Sequence, residues 1–244
     1  MANDIFERVE IKYLLSKEQY QNIMKDINNH MVPDKFGRST IQSLYFDTDT
    51  DLLVRTSIDK PLYKEKLRLR SYGIANMEDK VFLEIKKKYN GIVYKRRISL
   101  KQSDVEPFIN GKLNLDTQIG NELNYFRDYY KTLKPSTLLI YDREAYYDGE
   151  LRITFDHNIK YRKFDLTLDK GFYGNLIIEP DQVLMEIKVN GSMPFWLVNM
   201  LEENRAFKTS FSKYGLSYKI ANQSLAVKNN AIFRDAKSPA FQLI

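Results

Sequence analysis

The stretch Lys64-Glu65-Lys66-Leu67-Arg68-Leu69-Arg70-Ser71-Tyr72 puts Lys64, Lys66, Arg68 and Arg70 on one face of an extended chain and Leu67 and Leu69 on the other. Successive side chains of a strand point to opposite faces, so a period of two separates the cations from the apolar residues. Neighbouring runs repeat the pattern. Glu84, Lys86 and Lys88 lie opposite Val81, Leu83 and Ile85; Lys95 and Arg97 share a face; Glu186 and Lys188 lie opposite Val183, Met185 and Ile187. A half-buried strand ordinarily carries charges of both signs on its wet face. Here that face is mostly cationic in strand after strand.

Two arrangements satisfy such strands. In one, the apolar faces form a conventional core and the cations are solvated, the usual fate of a charge run on any single strand. Taken jointly, the strands argue for the other arrangement, because like charges on neighbouring strands cost up to roughly 1 kcal/mol a pair. The strands then close into a barrel whose charges point into a hydrated lumen and whose apolar outer face is covered by helices. About eight strands leave room for one narrow ligand. Converging cations between low-dielectric walls select a linear polyanion.

Alternation recurs at Ile5–Leu15, Ile41–Asp47, Leu62–Tyr72, Lys80–Tyr89, Ile92–Leu100, Ser136–Tyr147, Glu150–Phe155 and Val183–Asn190, and more weakly near Tyr161–Leu168 and Asn175–Glu179. Asn90-Gly91 and Asp148-Gly149 are the dipeptides of tight hairpins, whose central residues need positive φ. Helices are predicted from Ser16 to about Asn29 and from Ser103 to Gly111, each opened by a capping box (Ser16 with Gln19, Ser103 with Glu106). Others are predicted over Pro194–Glu203 with Ser192 as cap, over Gly120–Lys131 and from Ser212 to about Gln223. The fold class is therefore α+β, an antiparallel eight-stranded barrel with a charged lumen. Residues 1–225 read as one catalytic domain, and 226–244 as a docked or frayed C-terminal extension.

Composition narrows the chemistry. With no cysteine and two isolated histidines, His30 and His157, the 244-residue chain has no thiolate nucleophile, Cys-based zinc site or His cluster, so a metal must sit on oxygen ligands. A net charge of +6 mildly favours polyanionic partners. No apolar run reaches the roughly 20 residues that span a bilayer, and Met1 to Glu10 lacks a signal pattern, which predicts a cytoplasmic protein. Cations do not interleave with aromatic platforms on an exposed face and there is no recognition helix, so nucleic acid is not the expected partner.

From about Phe6 to Tyr218 the sequence resembles the VTC-domain polyphosphate polymerases of the triphosphate tunnel (CYTH-like) superfamily. The resemblance rests on ordered pieces: Arg8-Val9-Glu10-Ile11-Lys12-Tyr13, Tyr45-Phe46-Asp47-Thr48, Lys66-Leu67-Arg68-Leu69-Arg70, Leu83-Glu84-Ile85-Lys86 and Tyr94-Lys95-Arg96-Arg97. It continues through Tyr141-Asp142-Arg143-Glu144-Ala145-Tyr146, Leu151-Arg152-Ile153-Thr154-Phe155-Asp156, Met185-Glu186-Ile187-Lys188 and Phe211-Ser212-Lys213-Tyr214. It implies a tunnel of eight antiparallel strands that transfers the γ-phosphate of ATP to inorganic polyphosphate, with Mn²⁺ or Mg²⁺ as cofactor. A membrane-protein partner is compatible with the resemblance and is not visible in the sequence. Arg68, Arg70, Lys86, Arg143, Arg152 and Lys213 are the implied catalytic cations, and Lys12, Lys95, Lys188 and Ser212 the phosphate contacts. Strand parity adds Lys66 and Arg97 to the phosphate contacts. Glu186 is the implied metal ligand, and parity adds Glu10 as a further lumen candidate beside it.

Two positions depart from the pattern. The superfamily's hydrolases open with Glu-x-Glu-x-Lys, but position 8 is Arg8, which removes one carboxylate and tilts the reading from hydrolysis towards transfer to phosphate. Ser210 stands where the polymerases carry a lysine, and Lys208 is the candidate replacement. Structural roles compete for several residues: Arg143 and Arg152 with Asp142, Asp156 or Glu150, Glu186 with Lys12 or Lys188, and Ser212 as a helix cap. His157 reads as a turn residue, and Trp196 with the tyrosines as packing on the outer face. A triphosphatase and a non-catalytic polyphosphate or nucleotide binder are the alternative functions.

Overall fold

A computed structural model describes residues 8–223, and for Arg8 the backbone alone. The expected extension at 226–244 lies outside the described residues, as do positions 5–7 of the first predicted strand.

Eight strands carry the architecture: β1 (Arg8–Leu15), β3 (Ser39–Asp47), β4 (Tyr63–Tyr72), β5 (Lys80–Tyr89), β6 (Ile92–Lys101), β7 (Lys134–Asp148), β8 (Leu151–Arg162) and β10 (Val183–Asn190). Two-residue strands β2 (Val32–Pro33) and β9 (Asn175–Leu176) add to β7 and β8. The long strands run antiparallel in the order β1-β10-β8-β7-β3-β4-β5-β6. Among the described residues no ladder joins β6 to β1. Side chains close the ring instead: Lys86 of β5 donates to Glu10 of β1 at 3.2 Å, although six steps of the sheet order separate them.

Apolar residues confirm which face is outside. Leu67 and Leu69 of β4 and Val81, Leu83 and Ile85 of β5 pack beneath α3 (Val105–Ile109) and α4 (Gln118–Tyr130), against Phe108, Leu123 and Phe126. Across the barrel, Ile153, Phe155, Met185 and Ile187 pack beneath α1 (Lys17–His30) and α5 (Phe195–Glu203). The outer face therefore holds two cores where a sandwich would hold one between sheets. A third cluster fills one end of the lumen. Tyr45, Leu139, Tyr141 and Leu184 meet Val54 of α2 (Leu52–Asp59) and Tyr214 of α6 (residues 213–223).

Several predicted elements are corrected. Tyr161–Leu168 is not a strand: β8 absorbs Tyr161 and Arg162, and the buried Arg162 guanidinium then gathers the carbonyls of Asp165, Thr167, Gly171 and Tyr173 into a loop. Asn175–Glu179 shrinks to β9. Ser16 and Gln19 make the expected capping box, but Ser103 sits in a 3₁₀ turn (Gln102–Asp104), and α5 starts after Pro194 without a side-chain cap from Ser192. Asn90 and Gly91 take the positive φ values (45° and 87°) that their hairpin needs. In the second hairpin Asp148 still pairs with Leu151, so the turn is Gly149-Glu150. Helix α2 has no sequence signature because its cap is remote: the Asp47 carboxylate, on β3, accepts from the N–H groups of Leu53 and Val54.

Candidate active site

The lumen wall is built by parity. Lys66, Arg68 and Arg70 of β4 face inward, and β3 supplies Tyr45 and Ser43 beside them: Arg68 reaches the Tyr45 hydroxyl at 3.4 Å and Arg70 the Ser43 hydroxyl at 3.3 Å. Two strands away on β7, the Tyr141 hydroxyl accepts from Arg70 at 3.1 Å. β1 contributes Glu10 and Lys12, β10 Glu186 and Lys188, β7 Arg143, β5 Glu84 and Lys86, and β6 Lys95 and Arg97. Lys12 lies within electrostatic reach of Lys86 and Lys213, and Arg143 of Glu186, so side chains of separate strands share one enclosed space.

That space carries its own anions, so a bound polyanion is not the sole partner of the cations. Glu84, fully buried, takes Arg68 at 2.6 Å, Lys95 at 2.7 Å and Arg97 at 3.5 Å. Burial alone would raise its carboxyl, but Arg68, Arg70 and Lys95 overcome this and hold the pKa at about 2. Asp156 is gripped by both Nε (2.5 Å) and Nη2 (2.7 Å) of Arg143 and by Lys213. Its pKa is likewise lowered, against burial, to about 2. Glu186 pairs with Lys188 at 2.8 Å and with Lys12 at 3.8 Å, and these lysines hold it ionised against its burial.

Four carboxylates, Glu10, Glu84, Asp156 and Glu186, thus face ten cations: Lys12, Lys66, Arg68, Arg70, Lys86, Lys95, Arg97, Arg143, Lys188 and Lys213. The surplus concentrates on two. Among the described residues neither Lys66 nor Arg70 has a carboxylate within 4.0 Å. Arg70 is 7% exposed. Lys66 lies 5.5 Å from the Tyr214 ring, and burial, reinforced by Lys86, Lys12, Lys64 and Arg68, brings its pKa down to about 7.

Arg152 is the one expected catalytic cation that does not join the group. It is exposed at the rim, bonded to Asp34 at 3.2 Å. Ser212 caps α6, accepting from the Gly215 N–H at 3.2 Å, while Lys213 in the first turn reaches inward to Asp156. Beside Ser210 stands Lys60, donating at 2.9 Å to its hydroxyl; Lys208 is exposed. His157 is a strand residue whose Nε2 lies 2.6 Å from Glu144, outside the lumen. Trp196 stacks on His30 on the outer face, as expected. Three tyrosines do not follow that reading: Tyr45, Tyr141 and Tyr214 lie inside. The pairing of Arg143 with Asp156 is one of the structural alternatives expected from the sequence, whereas parity with Lys86 places Glu84 inward without giving it a role.

For a metal, the donor set is two carboxylates: Glu186 and Glu10, which lie within electrostatic reach of each other and are both held ionised, Glu10 by Lys86 against its burial. Among the described residues no group of three or more His, Asp or Glu could form a closed cage. Two hard oxygen ligands fit Mg²⁺ or Mn²⁺ completed by water and phosphate oxygens, and do not fit a structural zinc or calcium site.

The VTC domain family model matches residues 7–222. Subunit 4 of the vacuolar transporter chaperone complex of Trypanosoma brucei is 27% identical over an alignment of 143 residues that covers 47% of this chain and 18% of that protein. The chain therefore matches less than a fifth of that relative's length. Among solved structures, a candidate adenylate cyclase of Bacillus halodurans superposes with a TM-score of 0.55 at 15% identity, covering 84% of this chain and 95% of the other. A candidate adenylyl cyclase from Hippeastrum, described as having a dominant triphosphatase activity, gives 0.52 at 17% identity over 86% and 94%. Both share this fold. No described helix is long and apolar enough to cross a membrane.

Proposed function

The chain belongs to the VTC domain family, and we propose that it is a polyphosphate polymerase that transfers the γ-phosphate of ATP to a growing inorganic polyphosphate chain inside its lumen. One observation carries the reading: ten cations from six strands and helix α6 converge on four carboxylates, and of the two with no carboxylate partner Arg70 is buried and Lys66 is half-buried. Burying an unpaired cation costs free energy in the empty protein, which a polyanion would recover. Phosphoryl transfer needs such positioning and charge neutralisation more than covalent chemistry.

In this proposal Lys12, Lys66, Lys95, Arg97, Lys188 and Ser212 hold the phosphate chain. Arg68, Arg70, Lys86, Arg143 and Lys213 neutralise the group in transfer, and Arg152 guides phosphates at the rim. Arg143 engages Asp156 through Nε and Nη2, which leaves its third nitrogen for a phosphate oxygen. Glu186, assisted by Glu10, would hold Mg²⁺ or Mn²⁺, which neutralises phosphate oxygens when bound. A terminal oxygen of the polyphosphate attacks the γ-phosphorus, the bond to the β-phosphate oxygen breaks, and ADP leaves with that electron pair. The attacking oxygen is already anionic, so no residue need remove a proton. The proposal includes a cytoplasmic site of action and a membrane-protein partner for this chain.

A triphosphatase using the same wall is the second reading, favoured by the apolar filling of the lumen at the α6 end. Water needs no second opening; a chain threaded through the barrel does. Incubating the purified chain with ATP and Mn²⁺ separates the two. Polyphosphate ladders on a stained polyacrylamide gel support the polymerase. Free phosphate without ladders supports the hydrolase, and binding of ATP without either product supports a non-catalytic sensor.

A further inference from the structure

At the end of the lumen away from α6, the wall changes from charges to rings. Tyr72 ends β4 on the inward parity of Arg70 and is 52% exposed. Its ring meets Phe82 of β5 edge-on, with centroids 5.8 Å apart and planes at 77°. The Arg97 guanidinium lies 3.6 Å from the Phe82 centroid and 5.9 Å from that of Tyr72, and Nη2 approaches the Tyr72 hydroxyl at 3.5 Å. Arg97 Nε is buried and makes no hydrogen bond. This group is one carboxylate away from the deep cations, since Glu84 takes Arg97 on one oxygen and Arg68 on the other.

A guanidinium backed by one ring presents its second face to another π-system, and a half-exposed tyrosine beside it adds a flat apolar surface. Aromatic rings set among cations are how proteins hold a base whose phosphates are bound electrostatically. We propose that Tyr72, Phe82 and Arg97 form a stacking platform for the base of a nucleoside triphosphate whose phosphates lie among Arg68, Arg70 and Lys86. This rests on the reading above, in which ATP is the donor, and adds the place where the base is held, so that a nucleotide binds in preference to an inorganic triphosphate. Charge alone would favour the opposite order, because inorganic tripolyphosphate is the more highly charged of the two. Every base has a π-face, so ATP and GTP are held alike.

Titration calorimetry of the full chain with ATP, GTP and inorganic tripolyphosphate tests the platform, using wild type, Tyr72→Ala and Tyr72→Trp. Tyr72→Ala weakens ATP and GTP about tenfold and changes tripolyphosphate less than twofold, while Tyr72→Trp retains nucleotide affinity. Tyr72 is half in solvent, so thermal unfolding of Tyr72→Ala should match wild type and certify a folded protein. Equal loss for all three ligands, or no loss for any, overturns the platform and leaves the phosphate reading standing. Failure of wild type to bind any of them overturns both.

Discussion

Glu84-Ile85-Lys86 on β5 and Glu186-Ile187-Lys188 on β10 share one tripeptide and one strand parity, yet the two glutamates end in different company. Glu84 is fully buried among Arg68, Lys95 and Arg97. Glu186 has two lysines, one of them at 3.8 Å, and a second carboxylate, Glu10, within electrostatic reach. The first is a structural hub that organises three cations. The second has lysines that can be exchanged for a metal and phosphate. Identical local sequence therefore carries a scaffold role in one wall and a candidate chemical role in the other.

The largest expected effect breaks the first member of the pair. Glu84→Gln strands three cations around a buried neutral group and should cost about 3–5 kcal/mol, lowering Tm by roughly 6–20 °C in thermal unfolding. The pH dependence has the same origin. Because the folded pKa of about 2 lies below the ordinary 4.5, the stabilisation is complete above pH 4.5 and is lost as pH falls from there through 2. The variant should show a flatter acid limb over that window.

Glu186→Gln should do the reverse. Metal-dependent turnover of ATP falls by about 10²-fold or more, measured by product formation across a Mn²⁺ titration, with a smaller loss of Tm than Glu84→Gln. Chelation of the metal should abolish turnover in wild type and change the variant little.

Two arginines of one strand sharpen the contrast. Arg70 has no carboxylate partner, so Arg70→Met should weaken tripolyphosphate binding about tenfold or more while leaving Tm near that of wild type. Arg68→Met removes the 2.6 Å partner of Glu84 and should lower both. An Arg68 variant of unchanged stability would dissolve the distinction between hub and free cation.

The smallest effect concerns Lys66. Its folded pKa of about 7 against an ordinary 10.5 means that the unfolded chain holds the extra proton between those values, so stability rises with pH across that window and the penalty is greatest below pH 7. Lys66→Met should therefore raise Tm at pH 6.5, by about 2–4 °C for each kcal/mol released, and gain less at pH 9. Tripolyphosphate binding to wild type near pH 8 should take up a proton, detectable as a dependence of calorimetric heat on the buffer.

Most of the wall was legible because parity is local. A strand turns its side chains over every residue, so Lys66, Arg68 and Arg70 had to share a face whatever lay next to them. Their surplus over the carboxylates on that face argued against an ordinary sheet. The lumen, the Asn90-Gly91 hairpin and the capping box of α1 follow from that short-range geometry, while the second hairpin turns one residue later than its dipeptide suggests. What the tertiary structure decided was pairing. The sheet order and the curl that brings Glu10 to Lys86 also bring Asp156 to Arg143 and Lys213, Asp34 to Arg152, and Asp47 to the start of α2. Charge–charge energy depends on separations of a few ångströms between residues tens or hundreds of positions apart, and no period in the sequence encodes them. The chain's own letters thus made the interior cationic; only the closed fold determined which cations were already satisfied and which were left for a ligand.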